Sequence, residues 1–331
     1  MKYSPPYSIT NTMLDYIGSI MEKIGQIRNY NNLNKMPVLR KNMRIHSIHS
    51  TLAIEANSLS LKEVKDVIND VLVVGPEQEI IEVKNAYKAY GLIGKINPYE
   101  INNLLKVHRI LTSMLVEESG VFRSGNEGVF DEAGNYIFIA PSPDLVPDLV
   151  KNLFDFIRTK KDIINPLILS SIFHYEFVFI HPFSDGNGRM ARLWQNMLLA
   201  DWKDIFAYVP LESLIKNYQS DYYKTINDCN NAGDCTKFIE FMLKMIDETF
   251  TDLIDKISKE VANKNEYVNK LLAVMDYNVP LSAREMMKKL NLKSKQSFRK
   301  VYLNPSLDIG IIKMTDPDNP TSKNQKYYKE D

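Results

Sequence analysis

Two apolar runs near the middle of the chain, FHYEFVFI at residues 173–180 and the series Leu193, Met197 and Leu198, are joined by the polar segment HPFSDGNGRMAR at residues 181–192. The first run reads as the buried end of a helix, and the second recurs at helical spacing. Any fold this chain adopts must therefore carry a polar loop between two core helices. Gly186, Asn187 and Gly188 let backbone N–H groups converge on one ligand where the second helix begins, which makes an anion site. Arg189 and Arg192 are three apart, so they project from one face of that helix and can clamp a polyphosphate by charge-assisted hydrogen bonds. Asp185 is a hard oxygen ligand suited to Mg²⁺ that bridges phosphates. His181 is the one loop side chain able to take a proton near neutral pH, as a hydroxyl attacking phosphorus requires. A glycine-rich loop alone is usually a turn, and an arginine pair alone a solvated face. A base, a metal ligand, an anion nest and two arginines within twelve consecutive residues point to phosphate chemistry. His46, His49, His108 and His174 lack such surroundings and read as ordinary helix residues.

The rest of the chain is mainly α-helical. Ile9, Met13, Ile17, Ile20, Ile24 and Ile27 repeat at helical spacing, as do Leu105, His108, Leu111 and Leu115. Ser60 followed by Glu63 is a capping-box pattern that starts a helix, and another helix is expected over 79–93. The break in helicity lies at 128–143, GVFDEAGNYIFIAPSP, which reads as a β-hairpin with a turn over 131–135. From about residue 263 the chain holds 13 Lys or Arg against 8 Asp or Glu. Two short helices there, followed by two strands, predict a winged helix-turn-helix.

At 331 residues the chain is long for one domain, and three regions are expected: 1–95, 96–262 and 263–331. Formal net charge is zero, which leaves no polyanion-binding surface over the whole molecule. Cys229 and Cys235 are too few for a disulfide framework and read as free thiols of a reducing compartment. Pro5, Pro6, Ser8 and Asp15 break the first segment, so neither a signal peptide nor a membrane anchor is expected, and the predicted location is cytoplasmic.

HPFSDGNGRMAR resembles the signature of the Fic family, HPFx[D/E]GNGRxxR, at every fixed position. The likeness extends over about residues 40–250, through GVFRSG at 120–125, the hairpin and YYKTINDCNNAGDCTKFIEFML. The final section resembles the winged-helix tail of some bacterial members. The resemblance implies a mainly α fold: a Fic-type helical bundle with a β-hairpin flap, plus a small C-terminal winged helix-turn-helix domain. It implies a protein adenylyltransferase that moves AMP from ATP to a Tyr, Thr or Ser hydroxyl of a target protein or of itself, releasing pyrophosphate. His181 would be the general base, Asp185 would hold Mg²⁺, and Phe183 would pack in the core and fix the loop. Gly186, Asn187 and Gly188 would stabilise the α-phosphate, with Arg189 and Arg192 on the β- and γ-phosphates. Related Doc-type kinases carry Lys where this chain has Gly188, so glycine favours adenylyl transfer over phosphorylation. Tyr222 and Tyr223 match aromatics that line the adenine pocket in relatives; a place in the core is the other reading.

Tyr136, Ile137, Phe138 and Ile139 would form the flap edge to which a target segment adds as a strand. The helix at about 42–57 resembles the family's inhibitory motif, [S/T]xxxE[G/N], with Thr51 and Glu55 in place. Glu55 would pair with Arg192 and deny it to the γ-phosphate. Ala56 departs from the pattern, with Asn57 one place later. Two other functions fit parts of the chain. The tail would make a DNA-binding regulator if Lys293, Lys295, Arg299 and Lys300 meet phosphates. A hydrolase that removes AMP from targets would use Glu55 to position water. A homo-oligomer is compatible with the sequence.

Overall fold

The computed structural model describes residues 3–29, 37–130, 136–308, 312–317, 319–320 and 322–329. The chain divides into two compact units, Met1–Asp252 and Leu253–Asp331. The boundary falls within one long helix.

The first unit is built from helices α1 (Asn11–Asn29), α2 (Pro37–Ile54), α3 (Leu61–Ile68), α4 (Glu77–Tyr90) and α5 (Ile101–Leu111). A hairpin follows, β1 (Gly128–Phe130) and β2 (Tyr136–Ile139), then α6 (Val146–Lys160), α7 (Pro166–Ile180) and α8 (Asn187–Trp202). Helices α9 (Leu211–Asn217), α10 (Gln219–Ala232) and α11 (Thr236–Ala273) follow. The predicted capping box forms at α3: the Ser60 hydroxyl accepts from the Glu63 N–H, and Glu63 reaches back to the Ser60 N–H at 2.8 Å. Helix α4 begins two residues ahead of the expected 79.

The centre is the antiparallel pair α7 and α8. Pro166 sits in the first turn of α7, where its missing N–H costs nothing, and the Asn165 side chain accepts from the Leu167 N–H at 2.9 Å. Almost every α7 residue from Leu167 to Phe177 is buried, including Phe173 and Phe177, and α8 buries Leu193, Trp194, Met197 and Leu198. These two helices thus hold residues 181–186 as a polar bridge on top of a solid apolar base. Helix α2 packs on α3, α4, α8 and α9, which brings its C-terminal end to the start of α8.

In the second unit, β3 (Leu281–Ser282), α12 (Ala283–Lys289), α13 (Lys295–Phe298), a π-helical turn (Arg299–Leu303) and α14 (Asn304–Asp308) precede β4 (Lys313–Met314) and β5 (Lys326–Tyr328). The antiparallel sheet has order β3-β5-β4. Leu271, Met275, Met286, Phe298, Tyr302, Leu303, Ile312 and Tyr327 form its core. The two expected terminal strands are β4 and β5. Strand β3 is two residues long, too short to show a period in sequence. Among the described residues no helix is long and apolar enough to cross a membrane, and both cysteines are buried and unbridged.

Candidate active site

Residues 181–192 form one tight structure. His181 ends α7 with φ 51° and ψ 59°, the left-handed region that costs a non-glycine residue about 1 kcal/mol or more and recurs at functional sites. Gly186, with φ 80°, turns the chain into α8. The first N–H groups of α8, those of Asn187, Gly188 and Arg189, have no partner within the helix and face its positive end. The Asn187 side chain folds back on the loop: its Oδ1 accepts from the Phe183 N–H at 2.9 Å and its Nδ2 donates to the Phe183 carbonyl at 2.7 Å. What Asn187 offers an anion is therefore its backbone.

Both arginines are buried, at 3% and 2% exposure, which is costly for a cation unless its donors are met. Arg189 donates Nη1 to Glu82 at 2.8 Å and Nη2 to Asp185 at 2.6 Å. Arg192 donates Nε to the Thr51 hydroxyl at 2.9 Å and Nη2 to both the Thr51 carbonyl, at 3.1 Å, and Glu55 Oε1, at 2.6 Å. Burial pushes the Arg192 pKa down, but the Glu55 carboxylate together with the Tyr222 and Tyr90 side chains raises it above its ordinary value, so the guanidinium stays charged. Among the described residues, one donor on each has no hydrogen-bond partner, Arg189 Nε and Arg192 Nη1. Two orphaned cationic donors beside a helix N-terminus are what an anion with several oxygens would satisfy. Asp185 is half exposed, with one oxygen on Arg189. A single accessible carboxylate suits Mg²⁺, which takes most of its ligands from phosphate and water.

The Glu55 carboxylate lies directly over Gly188. A Cβ at position 188 would stand 2.5 Å from Glu55 Oε1, so a larger residue there would push the carboxylate from its present place on Arg192. Beyond Ile54 the chain closes helix α2 in a Schellman motif, with the Asn57 N–H on the Leu52 carbonyl at 3.1 Å and the Ala56 N–H on that of Ala53 at 3.2 Å. Ala56 takes the left-handed position, φ 66°. This is the site where the resembling motif has Gly or Asn, the two residues that adopt this conformation at least cost. Asn57 then donates to Glu82 Oε2 at 2.8 Å, linking the helix end to the carboxylate that holds Arg189.

Burial lowers the His181 pKa below the ordinary histidine value; the Val178 backbone opposes this, Arg123 adds to it, and Glu55 and Asp185 oppose it. The imidazole is therefore neutral at neutral pH and free to accept a proton.

Strands β1 and β2 pair antiparallel in the register Gly128↔Ile139 and Val129↔Phe138, with an irregularity before Phe130↔Tyr136. Among the described residues the sheet has two strands, so β2 keeps an open edge. The Phe138 ring lies 5.4 Å from Phe179 on α7, and Ile139 is 64% exposed. The turn expected over 131–135 and the side chains of Tyr136 and Ile137 lie outside the described residues. Tyr222 is in the core and donates its hydroxyl to His174 Nε2 at 2.8 Å, while Tyr223 is 46% exposed beside Glu55 and Arg192. Of the pair, Tyr223 presents the accessible ring.

Three residues of the site escaped the sequence reading. His108, read as an ordinary helix residue, stacks on Phe183 with ring centroids 3.6 Å apart. Its Nδ1 accepts from the Gly120 N–H at 2.9 Å, so Nε2 carries the proton and donates to the Asp185 carbonyl at 3.0 Å. Burial lowers its pKa to about 4, which keeps it in that neutral form. Glu82 anchors Arg189. Arg123, buried at 3%, donates to the His181 carbonyl. Their partners stand 77, 107 and 58 residues away, so periodicity announces none of these contacts; Arg123 alone lies in a segment, GVFRSG, that carries part of the family likeness, which assigned it no role.

Residues 98–199 match the Fic/DOC family, and residues 266–328 match the "Filamentation induced by cAMP protein Fic-like, C-terminal domain". The chain is 37% identical to a Fic family protein of known crystal structure from Desulfovibrio desulfuricans G20, covering 99% of this chain and 98% of that one with a TM-score of 0.72. It is 28% identical over 249 residues to the protein adenylyltransferase Fic of Nematostella vectensis, covering 72% of this chain and 54% of that protein. For the protein adenylyltransferase fic-1 of Caenorhabditis elegans the identity is 27% over 228 residues, covering 65% and 42%. The chain thus spans about half the length of the curated relatives it matches. With near-complete mutual coverage by a Fic family protein at this identity, the chain belongs to the Fic family.

Proposed function

We propose that this chain is a protein adenylyltransferase that moves AMP from ATP to a protein hydroxyl and is restrained by its own Glu55. The observation that carries this reading is the pair of buried guanidinium groups with unmet donors at the start of α8, next to a neutral His181. A nucleoside triphosphate would lay its phosphates along the N–H groups of residues 187–189. Arg189 Nε and Arg192 Nη1 would then gain the oxygen partners they lack. Asp185 would hold Mg²⁺, which would supply positive charge to neutralise the phosphate oxygens.

A target segment added to the open edge of β2 would bring its hydroxyl to His181. As the hydroxyl oxygen bonds to the α-phosphorus, the imidazole takes its proton, and the bond to the bridging oxygen of the β-phosphate breaks to release pyrophosphate. Positioning and fixed charges supply most of the rate. Glu55 shares Nη2 of Arg192 and lies over Gly188, so an incoming γ-phosphate would have to displace it.

The test uses ATP labelled in the α-phosphate, Mg²⁺ and a cell lysate. The wild-type chain should label protein, and His181→Ala should keep ATP binding while transfer falls on the order of a hundredfold or more. Near wild-type transfer by that variant would remove His181 from the role. Label entering protein from the γ-phosphate would mean a kinase, and release of AMP from modified protein a hydrolase.

A second reading applies to the tail, which we take to bind duplex nucleic acid. It is supported by residues 286–307, which hold six Lys or Arg and no Asp or Glu. Phe298, Tyr302 and Leu303 face the core, while Lys293, Lys295, Arg299 and Lys300 are exposed. Four phosphate contacts give a salt slope near −3.6, so affinity for a generic duplex should fall about a hundredfold between about 50 and 200 mM salt. Lys293→Glu combined with Lys295→Glu should abolish the gel shift. No shift for the wild-type chain at low salt would sink this reading.

A further inference from the structure

We propose that Arg123 is a positioning residue that locks both ends of the hairpin to the backbone of His181, so that a strand added to the hairpin is held in register with the imidazole. The proposal rests on the adenylyl-transfer reading for its purpose, though its geometry stands apart from it.

The guanidinium of Arg123 donates to three backbone carbonyls from three separate places. Nε reaches the His181 carbonyl at 2.7 Å, Nη1 that of Gly125 at 2.7 Å and Nη2 that of Pro141 at 2.5 Å. Its own N–H donates to the Pro182 carbonyl at 3.0 Å. Gly125 lies just ahead of β1, which begins at Gly128, and Pro141 just after β2, which ends at Ile139. One buried planar group thus joins the two feet of the hairpin to the residue that ends α7. The Ala140 N–H on the Glu127 carbonyl at 3.0 Å closes the ladder between those feet. The contact between Phe138 and Phe179 adds a second point at which β2 meets the end of α7.

Among the described residues Arg123 makes no ion pair within contact distance; burial disfavours its charge and the Glu127 carboxylate opposes this without touching it, so the cation is an expensive one to bury. A structural cross-link alone would be made more cheaply by a neutral amide. Arginine offers a rigid fork able to hold three carbonyls at fixed angles, and a positive charge beneath His181. That charge opposes protonation of the imidazole. The other charged groups that act on His181 are Glu55, on the end of α2, and Asp185, in the loop; both favour its protonated form. The left-handed His181 backbone is the part of the loop with most to gain from an external hold, since its conformation is costly on its own.

Two substitutions separate the geometric from the electrostatic contribution. Arg123→Lys keeps the charge but cannot reach three carbonyls. Arg123→Gln loses the charge as well. Hydrogen exchange should accelerate about tenfold or more at the amides of 128–130 and 136–139 in both variants, the scale of one lost charge-assisted hydrogen bond. Amides of α7 and α8 should keep their wild-type protection. The His181 titration, followed by NMR, should stay at the wild-type position in the lysine variant and move up in the glutamine variant. The acid limb of the automodification rate should move up with it, with kcat reduced and KM for ATP unchanged. In the wild-type chain the Arg123 Nε proton should exchange slowly, a measurement that needs no variant to fold. Hairpin exchange indistinguishable from wild type in Arg123→Lys would overturn the proposal. So would an equal acceleration throughout α7 and α8, or a fast-exchanging Nε proton in the wild type. Absence of any AMP transfer by the wild type would refute the catalytic reading instead, and the exchange and titration results would still decide the role of Arg123.

Discussion

Ala56 offers the sharpest test of the proposal that the end of α2 restrains the site. It occupies the left-handed position of a Schellman motif at φ 66°, a conformation that costs an alanine about 1 kcal/mol relative to glycine. Replacing it by glycine removes that strain and adds some backbone entropy to the unlocked form, which offsets part of the gain. The net stabilisation of the closed helix end should be about 0.5–1 kcal/mol. Glu55 is the preceding residue, so the same closure places its carboxylate on Arg192. If ATP must displace Glu55 to become productive, Ala56→Gly should lower the fraction of competent molecules about two- to fivefold. The assay is the initial automodification rate at saturating ATP, paired with a thermal melt, where a gain of this size raises Tm by about 2–4 °C per kcal/mol in a domain of this length. Ala56→Asn should act in the same direction and less strongly. A glycine variant that works as fast as wild type or faster, or that melts lower, would refute the link between helix closure and restraint.

Two further outcomes follow from the same contacts. Glu55→Gly should raise automodification on the order of fivefold, since a pair with one third-exposed partner contributes about 1 kcal/mol, and Arg192→Ala in the same chain should remove the gain. A Glu55→Gly rate at or below wild type would leave the helix without a restraining role. His108→Phe should keep the stack on Phe183 but strand the Gly120 N–H and the Asp185 carbonyl, costing about 1–3 kcal/mol for each group left unmet. Thermal melts and ATP affinity should both fall; a variant unchanged in both would show that these bonds do not hold the loop.

Where the sequence was informative, its signals were local. The loop was legible because its histidine, aspartate, glycines and arginines fall within twelve consecutive residues, and the capping box joins Ser60 to Glu63 three places on. The hairpin strands showed through their β-branched and aromatic residues flanking turn residues. Helical periodicity, in contrast, records which positions are apolar and says nothing about what a buried polar side chain faces. That is why His108 looked ordinary. Its role depends on Gly120 and Asp185 arriving at opposite edges of one ring, which only the packing of α5 under the loop brings about.

Ala56 marks the boundary between these two kinds of information. As a letter it is a departure from a resemblance, with no indication of how much the departure matters. Its backbone angle supplies the missing quantity, because the residue preference of the motif is the preference of the left-handed helix end for a small or absent Cβ barrier. The alanine leaves the geometry of the Glu55–Arg192 pair intact at 2.6 Å and costs only the strain of holding it there. If Glu55 restrains the chain as proposed, the departure should weaken that restraint by a fraction of its strength rather than abolish it. The same reasoning orders the variants at the helix end: glycine holds Glu55 most firmly, asparagine next, alanine less, and a β-branched residue such as valine, which resists φ above zero, least of all.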